Sequence, residues 1–471
     1  MSRYLLLLCT LYLFGCANPI DDFDTKITSN TPLKTVKSNR TLGIAISGGG
    51  LRSSAFAFGA LKTLYDLKIL ENVDIISTVS GGGYTGYELF VNEMNSISDR
   101  NNKFGQATFG KDIFTENAYR HYYTANFVNF KAALPSILPF NSLKGVYDTK
   151  ILRKFGYNEQ QDLLLISDLK QLHKKTKFPE LIVNTTFLDP WPTDFSEDIY
   201  EFTPTESGSE ARGFHPYING TGPELKKLIA ISGAAFRPLL KQEITDPTTL
   251  SDGLIELSDG GHSENLGAFS LIKRGVSKII IIDAEHDPEY KFGAYTSLKN
   301  RLKYWGYSLV IDDIEKYEGK QNRNLKLESP VMIGKSIAPD GKESTIYYLK
   351  AMNSEYIKEL YDSKMVKNGK ALTERNRKIL KENINTNKLW NSKDLSNIPT
   401  DYDELFAYHL DFYPDFLRSL LHVRLFNYFD SNDIKLDFPQ YSTFDQSFYN
   451  DQYFAFVALG YFSAKALNDL N

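Results

Sequence analysis

A chain of 471 residues that is 42% hydrophobic, 13% aromatic and 24% charged has enough apolar material for a sizeable core, in one large domain or two modest ones. Its 54 basic and 58 acidic residues leave a formal net charge of −4, which gives no global attraction for nucleic acid or anionic lipid. The two cysteines, Cys9 and Cys16, both lie at the extreme amino end. The body of the chain therefore has no thiol for a disulfide, a metal site or nucleophilic catalysis.

Arg3 is the only charge before an apolar run from Tyr4 to Phe14 that is too short to span a bilayer, so residues 1–15 read as a signal peptide. Its end, Leu13-Phe14-Gly15-Cys16, resembles the bacterial lipobox, in which the cysteine is lipidated and becomes the mature terminus. That resemblance implies a membrane anchor at Cys16 and a place in the cell envelope. Ala17 after the cysteine, rather than Asp, resembles the signal for outer-membrane sorting. Residues 16–40 then form the lipidated terminus and a polar tether without apolar period.

At Thr41 the character changes. Leu42, Ile44 and Ile46 alternate as a strand that runs into Ser47-Gly48-Gly49-Gly50, and Phe58, Leu61, Leu64, Tyr65 and Leu67 predict a helix ending near Lys68. A second strand, Val73 to Val79, stops at Ser80-Gly81-Gly82-Gly83 and opens a helix through Tyr87 and Phe90. Two such units in succession predict an α/β fold with a parallel sheet covered by helices.

Aromatics crowd residues 100–157, among them Tyr119, Tyr122, Phe127 and Phe140, with Pro135 and Pro139 interrupting them. This composition suits an inserted cap, although an ordinary interior uses the same rings. Further strands are expected at Leu181–Phe187 and at Lys278–Asp283, whose four consecutive isoleucines call for burial on both faces. Residues 41–300 make up the expected core. Residues 301–471, more polar and Lys-rich, form an expected extension packed on it, with a strand at Ser344–Leu349 and a charged helix at Arg375–Asn383.

Glycine-rich strand-to-helix turns can expose a nucleophile and aim backbone N–H groups at a developing oxyanion. Ser80 sits at one, in Thr78-Val79-Ser80-Gly81-Gly82, which departs from G-x-S-x-G by placing Thr at the first position. Serine in such a turn often only caps a helix. What adds weight is the second glycine turn, Gly48-Gly49-Gly50-Leu51-Arg52, because neighbouring parallel strands would bring the two side by side.

With these turns the sequence resembles the patatin-like phospholipases, and in SGGGLR their cytosolic phospholipase A relatives. Asp259-Gly260-Gly261 within LSDGGHSENLG resembles the family's D-G-G/A motif, and AISGAAFRP and FPQYSTFDQ extend the likeness across roughly residues 41 to 460. The resemblance implies a three-layer α/β/α architecture with a central, mainly parallel sheet. It also implies a Ser80 nucleophile, an Asp259 base and an oxyanion hole from the amides of Gly48, Gly49 and Gly50. Arg52 matches an arginine that meets substrate phosphate, or else it braces the glycine loop by a salt bridge. The implied activity is hydrolysis of a membrane lipid ester without cofactor. Transacylation on the same fold, or a catalytically silent binding lipoprotein, are the alternatives, and Thr78 favours the silent one because its branched side chain could crowd the turn. Protein partners are not encoded in any motif.

His262 lies three residues from Asp259, too close in sequence to insert between Asp259 and Ser80 as a triad without a sharp fold-back, so a loop-bracing role is expected. Asp283, Glu285, His286 and Asp287 have metal-like composition, but no second ligand cluster accompanies them. They read as a polar loop after a buried strand, and no catalytic metal is expected.

Overall fold

The computed structural model describes residues 40–97, 103–110, 164–176, 178–188, 199–210, 212–233, 242–248, 254–322, 325, 327–352, 354–356, 439–440, 443 and 450–470. The expected signal peptide, Cys16, the tether to residue 39, all of the expected cap but residues 103–110, and the Arg375–Asn383 helix lie outside the described residues. Among the described residues, no helix is long and apolar enough to cross a membrane.

Twelve strands form one sheet: β1 (Leu42–Ile46), β2 (Ile75–Val79), β3 (Glu180–Phe187), β4 (Ile199–Phe202), β5 (Glu206–Ser209), β6 (Gly213–Pro216), β7 (Gln242–Thr245), β8 (Leu254–Asp259), β9 (Lys278–Asp283), β10 (Ser308–Val310), β11 (Val331–Ile337) and β12 (Glu343–Lys350). The main path runs β10-β11-β12-β9-β1-β2-β3-β4-β5-β6, with β8 joined to β3 and β7 to β8. Its centre, β12-β9-β1-β2-β3, is parallel, and both wings are antiparallel. The boundary expected at residue 300 does not divide the fold. β12 pairs in parallel with β9 from Thr345↔Lys278 to Lys350↔Asp283, so residues beyond 300 complete the sheet rather than lean on it.

The isoleucine run explains why this sheet is buried on both sides. Ile280 and Ile282 face a core shared with Ile44, Ile46 and Val183, whereas Ile279 and Ile281 face another shared with Ala45, Ile75 and Ile182. The first core is covered by α1 (Gly50–Asp66), α2 (Gly82–Asn95), α3 (Leu225–Ser232) and α5 (Asn450–Ala464), through residues such as Leu61, Phe90, Leu228 and Val457. The second is covered by α4 (Gly293–Tyr304) through Tyr295, Leu298 and Leu302, together with Phe269 and Leu271. The result is a three-layer α/β/α sandwich.

One register positions the site. β2 occupies an edge of β3 from Ile75↔Glu180 to Val79↔Asn184. β4 takes the opposite edge from Val183 to Thr186, so β8, paired from Thr185↔Asp259 to Phe187↔Leu257, must share the edge used by β2. β2 and the antiparallel β8 therefore meet end to end in one slot of the sheet. The residue that ends β8 is Asp259, and the residue that follows β2 is Ser80.

Candidate active site

Ser80 adopts φ 50, a left-handed conformation that is uncommon for a residue with a side chain and costs about 1–3 kcal/mol. The surrounding hydrogen bonds hold it there. Its N–H donates to Ser232 Oγ (2.9 Å), Ser232 Oγ donates to the Asn184 carbonyl (2.6 Å), and the Ser80 carbonyl accepts from Gly83 N–H (2.9 Å). Asn184 ties this arrangement back to β2, donating through Nδ2 to Ser77 Oγ (2.8 Å) and to the Thr78 carbonyl (2.9 Å), while its Oδ1 accepts from Ser270 Oγ (2.8 Å). Thr78 does not crowd the turn. Its hydroxyl donates to the Ile182 carbonyl (3.2 Å), and its methyl lies where only a glycine, Gly86, leaves room in α2, because a Cβ there would come within 2.9 Å.

Ser80 Oγ donates to Asp259 Oδ2 at 2.8 Å, and the second carboxylate oxygen accepts from Gly261 N–H at 2.7 Å. Thr186 Oγ1 holds the Asp259 carbonyl (2.6 Å). Both side chains are nearly withdrawn from solvent, Ser80 at 8% and Asp259 at 3% exposure. Burial raises the Asp259 carboxyl above its usual range, opposed by the field of His262 and by the hydrogen bonds from Ser80 and Gly261. His262 does not stand between them: its Nδ1 meets Ser258 Oγ at 2.9 Å.

The glycine loop packs against this pair. A Cβ on Gly81 would fall 2.1 Å from the Gly50 carbonyl oxygen, so the serine turn and the glycine loop are in backbone contact. Gly49 has φ 138 and lies against the Ala284 carbonyl, 2.4 Å from where a Cβ would sit, so no other residue fits there. The expectation for the oxyanion hole needs one correction. The Gly48 N–H is already committed to the Asn265 carbonyl at 2.8 Å, leaving the loop's donors as Gly49 and Gly50, whose N–H groups no described hydrogen bond takes. α1 starts at Gly50 and α2 at Gly82, each without a side-chain cap, so two helix N-termini supply partial positive charge beside Ser80.

Of the two roles open to Arg52, the geometry favours the one that braces the loop. Arg52 is 1% exposed, with Nε on the Ala284 carbonyl (2.9 Å) and a guanidinium N–H on Thr443 Oγ1 (3.1 Å). Burial lowers it to about 10, partly offset by Asp283 and Glu285. A guanidinium so enclosed braces the loop and does not present a surface to phosphate. Asp283, Glu285 and Asp287 converge on Lys350 Nζ at 2.8, 3.1 and 3.3 Å, and this ammonium sits where a metal would need to. His286, pushed down to about 4 by burial and then by Arg52, is a neutral imidazole at pH 7.

Sequence reasoning missed Asn184, Ser232, Asn265, Ala284 and Lys350. Ser232 and Asn265 did lie inside flagged segments, AISGAAFRP and LSDGGHSENLG, whereas Asn184 and Lys350 carried no local signal.

Paired glycine and serine turns thus meet at adjacent strand ends of a three-layer α/β/α sandwich. Residues 44–272 match the family model for patatin-like phospholipases. The fold is similar to that of human GIVD cytosolic phospholipase A2, with a TM-score of 0.56 at 12% identity over 92% of this chain and 59% of that one. It is also similar to the same human protein in complex with methyl gamma-linolenyl fluorophosphonate, with a TM-score of 0.50 at 13% identity over 92% and 57%. The chain thus spans less than two thirds of the length of these structures. A comparison with curated protein sequences returns no match.

Ser232 is the support most cleanly removed. Ser232→Ala leaves the Ser80 N–H and the Asn184 carbonyl without this partner in a buried setting, at a cost of about 1–3 kcal/mol. Urea unfolding should show a lower midpoint with an unchanged slope. A variant as stable as the wild type would contradict the role given to Ser232.

Proposed function

We propose that the chain is a lipid acyl ester hydrolase of the phospholipase A or lysophospholipase type, with Ser80 as nucleophile and Asp259 as base. The observation that carries this reading is the 2.8 Å hydrogen bond from Ser80 Oγ to Asp259 Oδ2 beside the glycine loop. Asp259 takes the hydroxyl proton as Oγ attacks the ester carbonyl, and the tetrahedral oxyanion is received by the N–H groups of Gly49 and Gly50. Collapse expels the alcohol, which leaves with the proton from Asp259. The same carboxylate then deprotonates water, which attacks the acyl-serine, releases the fatty acid and returns the proton to Oγ.

Each good oxyanion donor is worth roughly 3 kcal/mol in such a site, more than exposed donors would give, because little water competes. The strained φ of Ser80 aims Oγ outward from the strand end, and the slot shared by β2 and β8 holds the base at its side. A lipid as substrate is supported by the family of residues 44–272 and by the acyl-chain fluorophosphonate held by the human protein of similar fold. An anchor at Cys16 would keep the enzyme at an envelope membrane, within reach of that substrate.

Purified protein incubated with phospholipid and lysophospholipid vesicles should release free fatty acid, and Ser80→Ala should release none above background. Equal release by both proteins, or none by the wild type, would refute the reading. The pH dependence separates the dyad from a triad. The base must be ionised, so kcat/KM should fall as pH drops through the Asp259 pKa, at a value above the ordinary carboxylate figure of about 3.9 because burial raises it. His262→Ala removes a field that lowers that pKa, so the limb should persist and move upward. A limb that vanishes in His262→Ala would contradict the dyad.

A further inference from the structure

The family match ends at residue 272, yet the glycine loop within it is held by residues outside it. Ala284 is the point of contact. Its N–H donates to Ser47 Oγ (2.9 Å), its carbonyl accepts from Arg52 Nε (2.9 Å), and the same carbonyl lies against Gly49. The Ser47 N–H in turn reaches the Ile282 carbonyl at 3.0 Å. The position of the Gly49 and Gly50 amides therefore follows the position of the turn at residues 283–285.

That turn is fixed by buried charge. Asp283 Oδ2 accepts from Lys350 Nζ (2.8 Å) and from Tyr348 OH (2.7 Å), and its Oδ1 accepts from Glu285 N–H (2.8 Å). Glu285 receives Lys350 Nζ (3.1 Å) and the Ala294 N–H at the start of α4 (3.1 Å). Asp287 accepts the Lys291 and Phe292 N–H groups at 2.8 Å each, and its own N–H donates to Gln440 Oε1 at 2.7 Å. Lys350 is fully buried and is the cation that all three acids share, while burial, opposed by Lys350, pushes the Glu285 carboxyl up to about 8.

We propose that Lys350, at the end of β12, is a positioning residue for the oxyanion loop, holding the 283–285 turn against Gly49 through its hydrogen bonds to the acids on either side of Ala284. This inference rests on the Ser80 and Asp259 reading for its effect on rate, and on geometry alone for its effect on the loop. Without the ammonium, the acids Asp283, Glu285 and Asp287 lose the buried cation they share, and the cluster spreads or takes up water and protons. Either response releases Ala284, and with it the amides that Gly49 and Gly50 offer to the oxyanion. Substrate binding elsewhere is left as it was, so the loss falls on turnover.

The test uses the full chain, with Lys350→Met, Tyr348→Phe and the double variant Lys350→Met/Glu285→Gln. Hydrogen exchange followed by mass spectrometry should show faster exchange in the peptide spanning residues 47–52 of Lys350→Met, with β4 to β6 unchanged. On a soluble p-nitrophenyl ester, kcat should fall about a hundredfold, the scale of losing one oxyanion donor, while KM moves less than about threefold. Removing one of the acids left without a cation, as the double variant does, should recover part of kcat. If Lys350→Met does not fold, Tyr348→Phe carries the same test with a smaller increase in the same peptide. Unchanged exchange at 47–52 in the folded variants, a rise shared equally by the whole sheet, or a change in KM alone would overturn the proposal. A wild type without esterase activity would sink the proposed function, and the exchange measurement would still decide the role of Lys350.

Discussion

One edge of β3 carries two strands, and the rest of the site follows from that. β2 pairs as far as Asn184 and β8 takes over at Thr185, so an upward strand and a downward strand end against each other with no space for another residue between them. Ser80 and Asp259 meet because the chain ends both strands there. Residues 179 positions apart in sequence are thereby joined by a 2.8 Å hydrogen bond without the aid of a flexible loop. Rigid placement of this kind is what a two-residue proton transfer requires.

The remaining features keep that meeting point strained, dry and electropositive. Asn184, at the changeover position, bonds backward to β2 through its side chain and sideways to Ser232 through its carbonyl, so the same residue that ends one strand pairing supports the Ser80 turn. β1 and β9 lie side by side, and their carboxyl ends provide the glycine loop and the Asp283–Ala284 turn beneath it. This is the crevice beside the first strand where open α/β sheets place their chemistry, since the chain leaves β1 toward β2 on one side and returns at β9 on the other. The two buried acidic groups nearby have different surroundings. Asp259 becomes a stronger base, whereas Asp283 is held by Lys350 Nζ at 2.8 Å and serves the turn.

Much of this was legible in the sequence where local pattern and local structure coincide. The alternation of Leu42, Ile44 and Ile46, the glycine runs and the four isoleucines each specify an element regardless of the rest of the chain. β5 and β6 were not legible, because Glu206–Ser209 and Gly213–Pro216 are short, polar and glycine-containing, and they exist only as pairings on an antiparallel wing. Ser232 and Asn184 depend on register between distant segments, which periodicity does not encode. Lys350 stood in a Lys-rich stretch in which Lys303, Lys316, Lys320, Lys335 and Lys342 are exposed, and only its pairing with β9 shows that this one is enclosed. For Arg52 the sequence left open both a ligand contact and bracing of the loop, and its hydrogen bond to the Ala284 carbonyl depends on a turn that lies far along the chain.

The working partnership of Ser80 and Asp259 is tested most directly by covalent capture. The folded protein is treated with an alkyl fluorophosphonate, the adduct is mapped by peptide mass spectrometry, and the labelling rate is compared with that of Asp259→Asn. If the carboxylate activates the hydroxyl, the adduct lies on Ser80 and forms at least about a hundredfold more slowly in the variant. An adduct on another residue, or equal rates in the two proteins, would show that the hydrogen bond between them holds the fold and not the chemistry.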